Sequence, residues 1–514
     1  MKAQLGDGRN FPKLTRGAFG STRPNSRILG AAAAFGRRTR LSWMIAIAMV
    51  LTLTGPQALA KDATTAKDRP NIIIILADDL GYGDLGVQGG REVRTPRIDR
   101  LAAEGVRLTN YYANHPVCAP SRAALMVGKY QQRFGFDANP SREDRTSPTY
   151  GVPLTEKMLP ERLKAQGYAT AMFGKWHIGF TPERAPPARG FDTFYGLLDG
   201  AMAYTPDGAT GDKFVYRGTV REPMPAHTTE AFAAEAVSFI EANKDRPFFI
   251  YAAFNAVHAP LQSTKAYIER FAGEPDPKRR TYLAMLAALD DAVGQIVDAI
   301  DRNGLGQDTL IVFTSDNGGP TWQTTSANGP LNGVKALVLE GGIRVPAIFR
   351  WTGQLPAGAV RGSMAMEFDV TATALAAAGA PVESSLDGVD LRPFLKGARS
   401  GDAHAQLFWR SGEQGATRRG PWKLITVDGA DYLFDLRTDL GEHKNLAAAE
   451  PEKLKALKES WEAWSNSMLR PQRPRVGEVG AAPSRAAGIR DLINRYVKGL
   501  PVNPKELLYG GGPE

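Results

Sequence analysis

Residues 71–79 read N-I-I-I-I-L-A-D-D. Four consecutive isoleucines, extended by Leu76 and Ala77, leave the segment without a polar side. This predicts a strand over 71–76 that is buried on both faces, as strands inside a parallel sheet are. The run then breaks into two adjacent carboxylates, Asp78 and Asp79. In an open parallel sheet the ligand crevice lies beyond the carboxyl ends of the strands. The same nine residues therefore point to a fold class and to a place for its chemistry.

Outward from this segment the pattern repeats. Apolar runs at 168–173, 248–254 and 309–314 follow helical stretches at 159–166, 229–243 and 281–302. Another strand is expected at 343–349, before an Ala-rich helix at 369–378, and Thr95, Pro96 and Gly105 bracket a further helix. Alternation of this kind predicts an α/β fold, with a large mixed, mostly parallel sheet sandwiched by helices. Past residue 385 the texture changes to short strands at 405–410, 422–427 and 432–436, separated by Gly-bearing turns, with a helix over 452–468. This predicts a smaller C-terminal α+β subdomain carrying an antiparallel sheet. The expected organisation is a leader (1–60), a catalytic domain (70–385), the C-terminal subdomain (386–470) and a loosely ordered tail (471–514) with a short helix at 486–497.

The chain has 514 residues, 43% of them hydrophobic, which excludes disorder, collagen and a polytopic membrane protein. Its single cysteine excludes an intramolecular disulfide and a Cys-based zinc cluster. The formal charge of +9 suggests a polyanion partner until it is located. Residues 1–60 hold nine basic side chains and one acid, so the remainder is close to neutral and no nucleic acid is expected as a partner. Arg37, Arg38 and Arg40 precede an uncharged stretch at 41–54, then Gly55-Pro56 and Ala58-Leu59-Ala60. That order reads as an export signal of Sec or twin-arginine type with an A-x-A cleavage site, giving a periplasmic or secreted product. The apolar stretch is short for a bilayer, so no stable span is expected in the mature form.

Each apolar run ends in polar, titratable residues: Asp78-Asp79, Gly174-Lys175-Trp176-His177, Asn255 through His258 to Pro260, and Ser315-Asp316-Asn317. One shared site is expected to hold Asp78, Asp79, Lys175, His177, His258, Asp316 and Asn317. Three converging carboxylates repel unless a cation joins them. Asp78, Asp79, Asp316 and the Asn317 amide oxygen form an all-oxygen set suited to Ca²⁺ or Mg²⁺ rather than zinc. Cys118 opens C-A-P-S-R (118–122), ahead of a helical stretch from Ala123. A nucleophile there faces the positive end of the helix dipole, and Arg122 suits bidentate capture of an anion.

The C-x-P-S-R segment is joined by A-D-D-L-G-Y-G-D (77–84), G-K-W-H-x-G (174–179), H-A-P (258–260), S-D-N-G (315–318), K-x-x-x-x-E-G-G-x-R-x-P (335–346) and D-L-x-x-D-x-x-E-x-x-N-L (435–446). In order and spacing the chain resembles the type I, formylglycine-dependent sulfatases of the alkaline-phosphatase-like superfamily, across 70–440. The resemblance implies that Cys118 is oxidised to Cα-formylglycine by a formylglycine-generating enzyme. It implies Ca²⁺ bound by Asp78, Asp79, Asp316, Asn317 and the modified residue 118. Arg122 and Lys175 are implied to hold and polarise the formylglycine. His177 is implied to assist breakdown of a covalent sulfo-enzyme intermediate, and His258 and Lys335 to bind sulfate and protonate the leaving oxygen. The nucleophile is then one hydroxyl of a geminal diol, and the second hydroxyl expels sulfate. Val127 departs from the family, which usually has a small hydroxyl residue there, and this bears on how efficiently Cys118 is modified.

A two-metal phosphatase or phosphodiesterase of the same superfamily needs more ligands than the six histidines provide, since His177 and His258 already sit in sulfatase motifs. A non-catalytic sulfoglycan-binding protein leaves the intact ligand set without purpose. The segments at 128–136 and 189–196 resemble bacterial carbohydrate sulfatases, which favours a sulfated sugar over an aryl sulfate as substrate. His115 is a candidate for the pocket lining or a surface loop, and Tyr204 for a sulfate contact. Trp409, Arg410, Arg418 and Arg419 are candidates for contacts to a sugar acid or second sulfate, or for a solvated face.

Overall fold

The computed structural model describes residues 69–502, apart from 91, 93 and 473–482. The leader expected at 1–60, and much of the tail, lie outside the described residues. A ten-stranded sheet organises the molecule. Across it the strands run Ala359–Arg361, Val106–Leu108, Ala347–Arg350, Thr309–Ser315, Asn71–Ala77, Phe248–Ala253, Ala169–Lys175, Thr193–Leu197, Phe214–Arg217 and Val220–Pro223. The isoleucine strand lies at the centre, parallel to Phe248–Ala253 on one side and to Thr309–Ser315 on the other. Ala169–Lys175 and Thr193–Leu197 continue the parallel set. Ala347–Arg350 is antiparallel to both its neighbours, and the Phe214–Pro223 hairpin closes the opposite edge. The sheet is thus mixed and mostly parallel.

The alternation of the isoleucines explains why all four are needed. Ile72, Ile74 and Leu76 enter a core shared with the helices Cys118–Val127, Leu159–Lys164 and Phe368–Ala377. Ile73, Ile75 and Ala77 enter a second core shared with Pro96–Ala103, Thr228–Asn243 and Pro277–Arg302. Each of these strand residues is completely buried. Full burial of an isoleucine contributes roughly 1.5–3 kcal/mol, so the strand is anchored from both faces.

Four strands, Leu407–Ser411, Gln414–Arg419, Trp422–Val427 and Ala430–Asp435, form a separate antiparallel meander. The sequence had suggested three. Gly415 and the Arg418-Arg419 pair disguise the additional strand. Helix Pro451–Ser467 packs on this sheet through Leu457. Helix Pro483–Val497 begins three residues before the expected start, and Ile489, Leu492 and Ile493 are buried against the meander. No helix among the described residues is long and apolar enough to cross a membrane.

Candidate active site

The strands Thr309–Ser315, Asn71–Ala77, Phe248–Ala253 and Ala169–Lys175 are immediate neighbours and parallel. Their carboxyl ends bring Asp316 and Asn317, Asp78 and Asp79, His258, and Lys175 and His177 to one place. The turns are tied together by backbone bonds: Asp78 N–H to Ala256 O at 2.9 Å, Val257 N–H to Asp78 O at 2.9 Å and Asp316 N–H to Ala77 O at 3.2 Å. Asp79 and His177 both have left-handed backbones, with φ of 62° and 66°. Such conformations cost a non-glycine residue about 1–3 kcal/mol, a cost met by the surrounding hydrogen bonds. Gly174 has φ 107°, and a Cβ there would lie 2.0 Å from Ala253 O. Only glycine lets the strand bearing Lys175 approach its neighbour so closely.

Cys118 arrives from the other side of the crevice. The helix that carries it begins at Cys118 itself, five residues before the expected Ala123, so the whole C-A-P-S-R segment is helical. Its Sγ lies 3.4 Å from Asp78 Oδ1 and 3.9 Å from Asp79 Oδ1. Donor atoms of Asp78, Asp79, Cys118 and His258 all fall within 4.8 Å of one another. Lys175 Nζ bonds Asp78 Oδ2 at 2.6 Å, and Lys335 Nζ bonds Asp79 Oδ2 at 2.8 Å. Arg122 grips Asp316 Oδ2 with Nε at 2.8 Å and Nη2 at 2.7 Å, and its Nη1 donates to Lys175 O at 3.0 Å. Asn317 Nδ2 donates to Asp79 Oδ1 at 2.7 Å.

Three carboxylates and three permanent cations thus offset one another in a buried cluster. Burial opposes ionisation of Asp78, but Lys175, His258 and Arg122 outweigh it and hold its carboxyl below the ordinary range. Asp79 is likewise lowered, by Lys335 and His258 against burial. Burial pushes the Cys118 thiol far up, with Lys175 and Lys335 pulling only partly back. His177 is driven well below its usual value by burial, then by Lys175 and Arg122. His258 is also lowered, by burial and then Lys335. It is the most open member of the cluster, with its side chain 17% exposed and Nε2 3.6 Å from Asp79 Oδ2.

The donor chemistry fits a hard cation. Asn317 Oδ1 is buried without a hydrogen-bond partner among the described residues, on the same amide whose Nδ2 lies against Asp79. Asp316 is turned toward Arg122 and also accepts from Asp79 N–H at 3.2 Å. His258, read from sequence as a sulfate contact, stands within the metal-sized group as well. A divalent cation added to this neutral cluster makes it a receptor for anions.

A family model described as Sulfatase matches residues 70–380. The chain belongs to the sulfatase family. This sulfatase is an enzyme that hydrolyses sulfate esters. It is 35% identical over 364 residues to N-acetylgalactosamine-6-sulfatase of Mus musculus, covering 66% of this chain and 69% of that protein. To arylsulfatase A of Homo sapiens it is 34% identical over 464 residues, covering 78% and 89%. The crystal structure of Ps i-CgsB superposes with a TM-score of 0.75 at 34% identity, covering 83% of this chain and 99% of that one.

Other sequence candidates in the sulfatase take structural positions instead. Tyr204 donates its hydroxyl to the carbonyls of Asn255 and His258, bracing the His258 turn rather than facing a sulfate. His115 is fully buried, which corrects only the surface-loop reading. Trp409 is completely buried, with its indole N–H on Ala113 O at 2.9 Å. Arg418 bonds the Tyr112 hydroxyl and Asn110, and Arg410 pairs with Asp137 at 2.8 Å. Arg419 bonds Gln406 Oε1 at 2.9 Å. The reading of these four as substrate contacts or solvated residues is corrected for Trp409 and Arg418, which tie the meander to the segment at 110–113, and for Arg410, which ties it to Asp137 and to the end of helix Pro451–Ser467.

Two features near the site escaped sequence reasoning. Ser121 of the C-A-P-S-R segment donates to Glu367, whose carboxyl burial pushes well up. Asp84 accepts from Gly81 N–H at 3.1 Å, Ala327 N–H at 3.0 Å and the Tyr282 hydroxyl, fixing the loop after Asp79. Asp84 was visible as the end of the 77–84 motif, whereas Glu367 carried no local signal.

Proposed function

We propose that this sulfatase cleaves a sulfate ester of a saccharide, with Ca²⁺ held by Asp78, Asp79, Asp316, Asn317 and residue 118. The observation that carries the reading is the position of Cys118, with Sγ 3.4 Å from Asp78 and within a cluster that includes Lys175 and Lys335. The cation, when bound, stabilises negative charge on the sulfate oxygens. Oxidation of the Cys118 side chain to the formylglycine aldehyde, and its hydration, supplies a hydroxyl as nucleophile toward sulfur. The buried thiol supports this, because a protonated thiol is a poor nucleophile.

The remaining steps belong to the chain's own side chains. Arg122 and Lys175 orient residue 118 from one side of the cluster. Lys335 and His258 meet at Asp79 Oδ2 on the other, and in this reading they bind the ester oxygens. The His258 Nδ1 contact to Ala259 O, at 2.5 Å, fixes a proton on Nδ1 because a carbonyl only accepts. Nε2 is an acceptor in the neutral ring, so it delivers a proton to the departing alcohol from the imidazolium form, which the anionic sulfate ester beside it favours. His177, kept neutral, takes the proton from the second hydroxyl when sulfate leaves.

The saccharide assignment draws support from relatives. The mouse relative is named for an N-acetylgalactosamine 6-sulfate, and a second Ps i-CgsB structure, 33% identical to this chain, contains a neocarrahexaose. Similarity to arylsulfatase A favours a second reading, broad aryl sulfate hydrolysis. A panel of sulfated sugars of defined ring position, set against 4-nitrophenyl sulfate, separates the two. The saccharide reading expects a sugar sulfate to give the higher kcat/KM, and the aryl ester winning across the panel contradicts it. Export through the 1–60 leader, maturation by a formylglycine-generating enzyme and division into 70–385 and 386–470 domains complete the proposal.

A further inference from the structure

A cavity of about 200 Å³ lies at the edge of the main sheet, close to the site. Its floor is the backbone after strand Thr193–Leu197. Leu197 O accepts from Trp176 N–H at 2.9 Å and Leu198 O from His177 N–H at 3.0 Å. Gly200 then packs on the imidazole so closely that a Cβ would lie 2.6 Å from His177 Nε2. Leu198, whose carbonyl holds His177 N–H, lines the cavity, so one backbone segment separates the cavity from the reaction centre. A hollow of about 150 Å³ holds a benzene ring, so this one has room for a single pyranose.

The outer wall is the hairpin Phe214–Arg217 and Val220–Pro223, in which Arg221 is paired across from Tyr216. The Arg221 guanidinium lies 4.3 Å from the Phe214 ring centroid and 5.5 Å from that of Tyr216, and its Nε donates to the Tyr216 hydroxyl at 3.0 Å. Its orientation is thus set by two rings. Among the described residues it has no carboxylate at ion-pair distance. The nearby cations differ: Arg217 pairs with Glu222 and Glu235, and Arg145 across the cavity pairs with Asp199 at 2.7 Å. A guanidinium held over aromatic rings with its terminal N–H groups uncommitted is arranged for bidentate capture of a sulfate or carboxylate. Asp199 and Asp212, on the same lining, provide acceptors for sugar hydroxyls.

We propose that this cavity receives the sugar ring next to the one that carries the scissile ester, and that Arg221 selects a neighbouring ring bearing an anionic group. The inference rests on the saccharide reading above. Its test compares sulfated disaccharides whose neighbouring ring is neutral, sulfated or a uronate, with every rate normalised to the same enzyme's turnover of 4-nitrophenyl sulfate. The wild type prefers an anionic neighbour by about tenfold or more in kcat/KM, chiefly through KM, in line with hydrogen bonds to charged groups. Arg221→Gln brings the ratio close to one, Arg221→Lys restores part of it, and Arg217→Gln, whose charge is already paired, keeps it. The sulfated and uronate arms show which anion is read. A wild-type ratio near one, or a ratio that survives Arg221→Gln, overturns the subsite. Turnover of the aryl ester with no sugar sulfate turned over overturns the saccharide reading, and the subsite with it.

Discussion

Arg122 is the side chain on which the centre's geometry turns. It is completely buried, binds Asp316 through two nitrogens and reaches Lys175 O with the third. Lysine retains the charge but has no planar fork, so Arg122→Lys is expected to lose activity by roughly 10²-fold while remaining folded, as single misplaced positioning groups do. Steady-state kinetics beside a thermal melt check this, and a variant within a few-fold of wild type contradicts it. Replacing Cys118 by Ala or Ser is expected to lower turnover by roughly 10³-fold or more, the scale of removing a nucleophile. The cation gives a third expectation at this scale. Stripping with EGTA should abolish turnover and lower the melting temperature, with Ca²⁺ restoring both, since a ligand at about 100 times its Kd stabilises by about 2.7 kcal/mol.

Among the elements, the loop carrying Lys335 depends on a sheet remote in sequence. Gln414 of the meander accepts from Val338 N–H at 3.1 Å and donates to Ala336 O at 2.9 Å. Lys423, fully buried, bonds Glu340 and Glu442 at 2.8 Å each. Against burial, Lys423 and Arg344 hold the Glu340 carboxyl down to about 2, while burial carries Glu442 up to about 7. Lys423→Met strands a carboxylate in the interior and is expected to cost about 3–5 kcal/mol. Urea denaturation measures it, and a loss below about 1 kcal/mol contradicts the account. Glu340 and Arg344 were legible as part of the 335–346 motif. Lys423 was not, because it sits inside W-K-L-I-T-V, where nothing local announces that an inward lysine has two partners. The central strands were legible because burial on both faces writes an uninterrupted apolar run. The Phe214–Pro223 hairpin and the short strands Val106–Leu108 and Ala359–Arg361 were not, since three or four residues carry too little periodicity.

For the whole molecule, one titration links distant parts of the fold. His404 Nε2 lies 2.8 and 3.0 Å from the Asp369 carboxylate, which also accepts from Met366 and Val389 N–H. Burial lowers the imidazole value, but Asp369 outweighs it and raises His404 above its ordinary 6.5. A folded value above the unfolded one means the native state binds the extra proton. The stabilisation is therefore complete below pH 6.5 and is lost as pH climbs through the raised value. The difference in melting temperature between wild type and His404→Gln should shrink across that window, and a difference independent of pH contradicts it. At this scale the charge arithmetic also settles: beyond the first sixty residues the chain is near neutral, so attraction for a sulfate ester arises at the cluster and not from a basic surface. The central claim is that residue 118 acts as an aldehyde hydrate. Mass spectrometry of the peptide containing Cys118, from active protein produced with a formylglycine-generating enzyme, tests it most directly. The account predicts the formylglycine mass in proportion to specific activity. Full activity in protein whose Cys118 is entirely an unmodified thiol would contradict it.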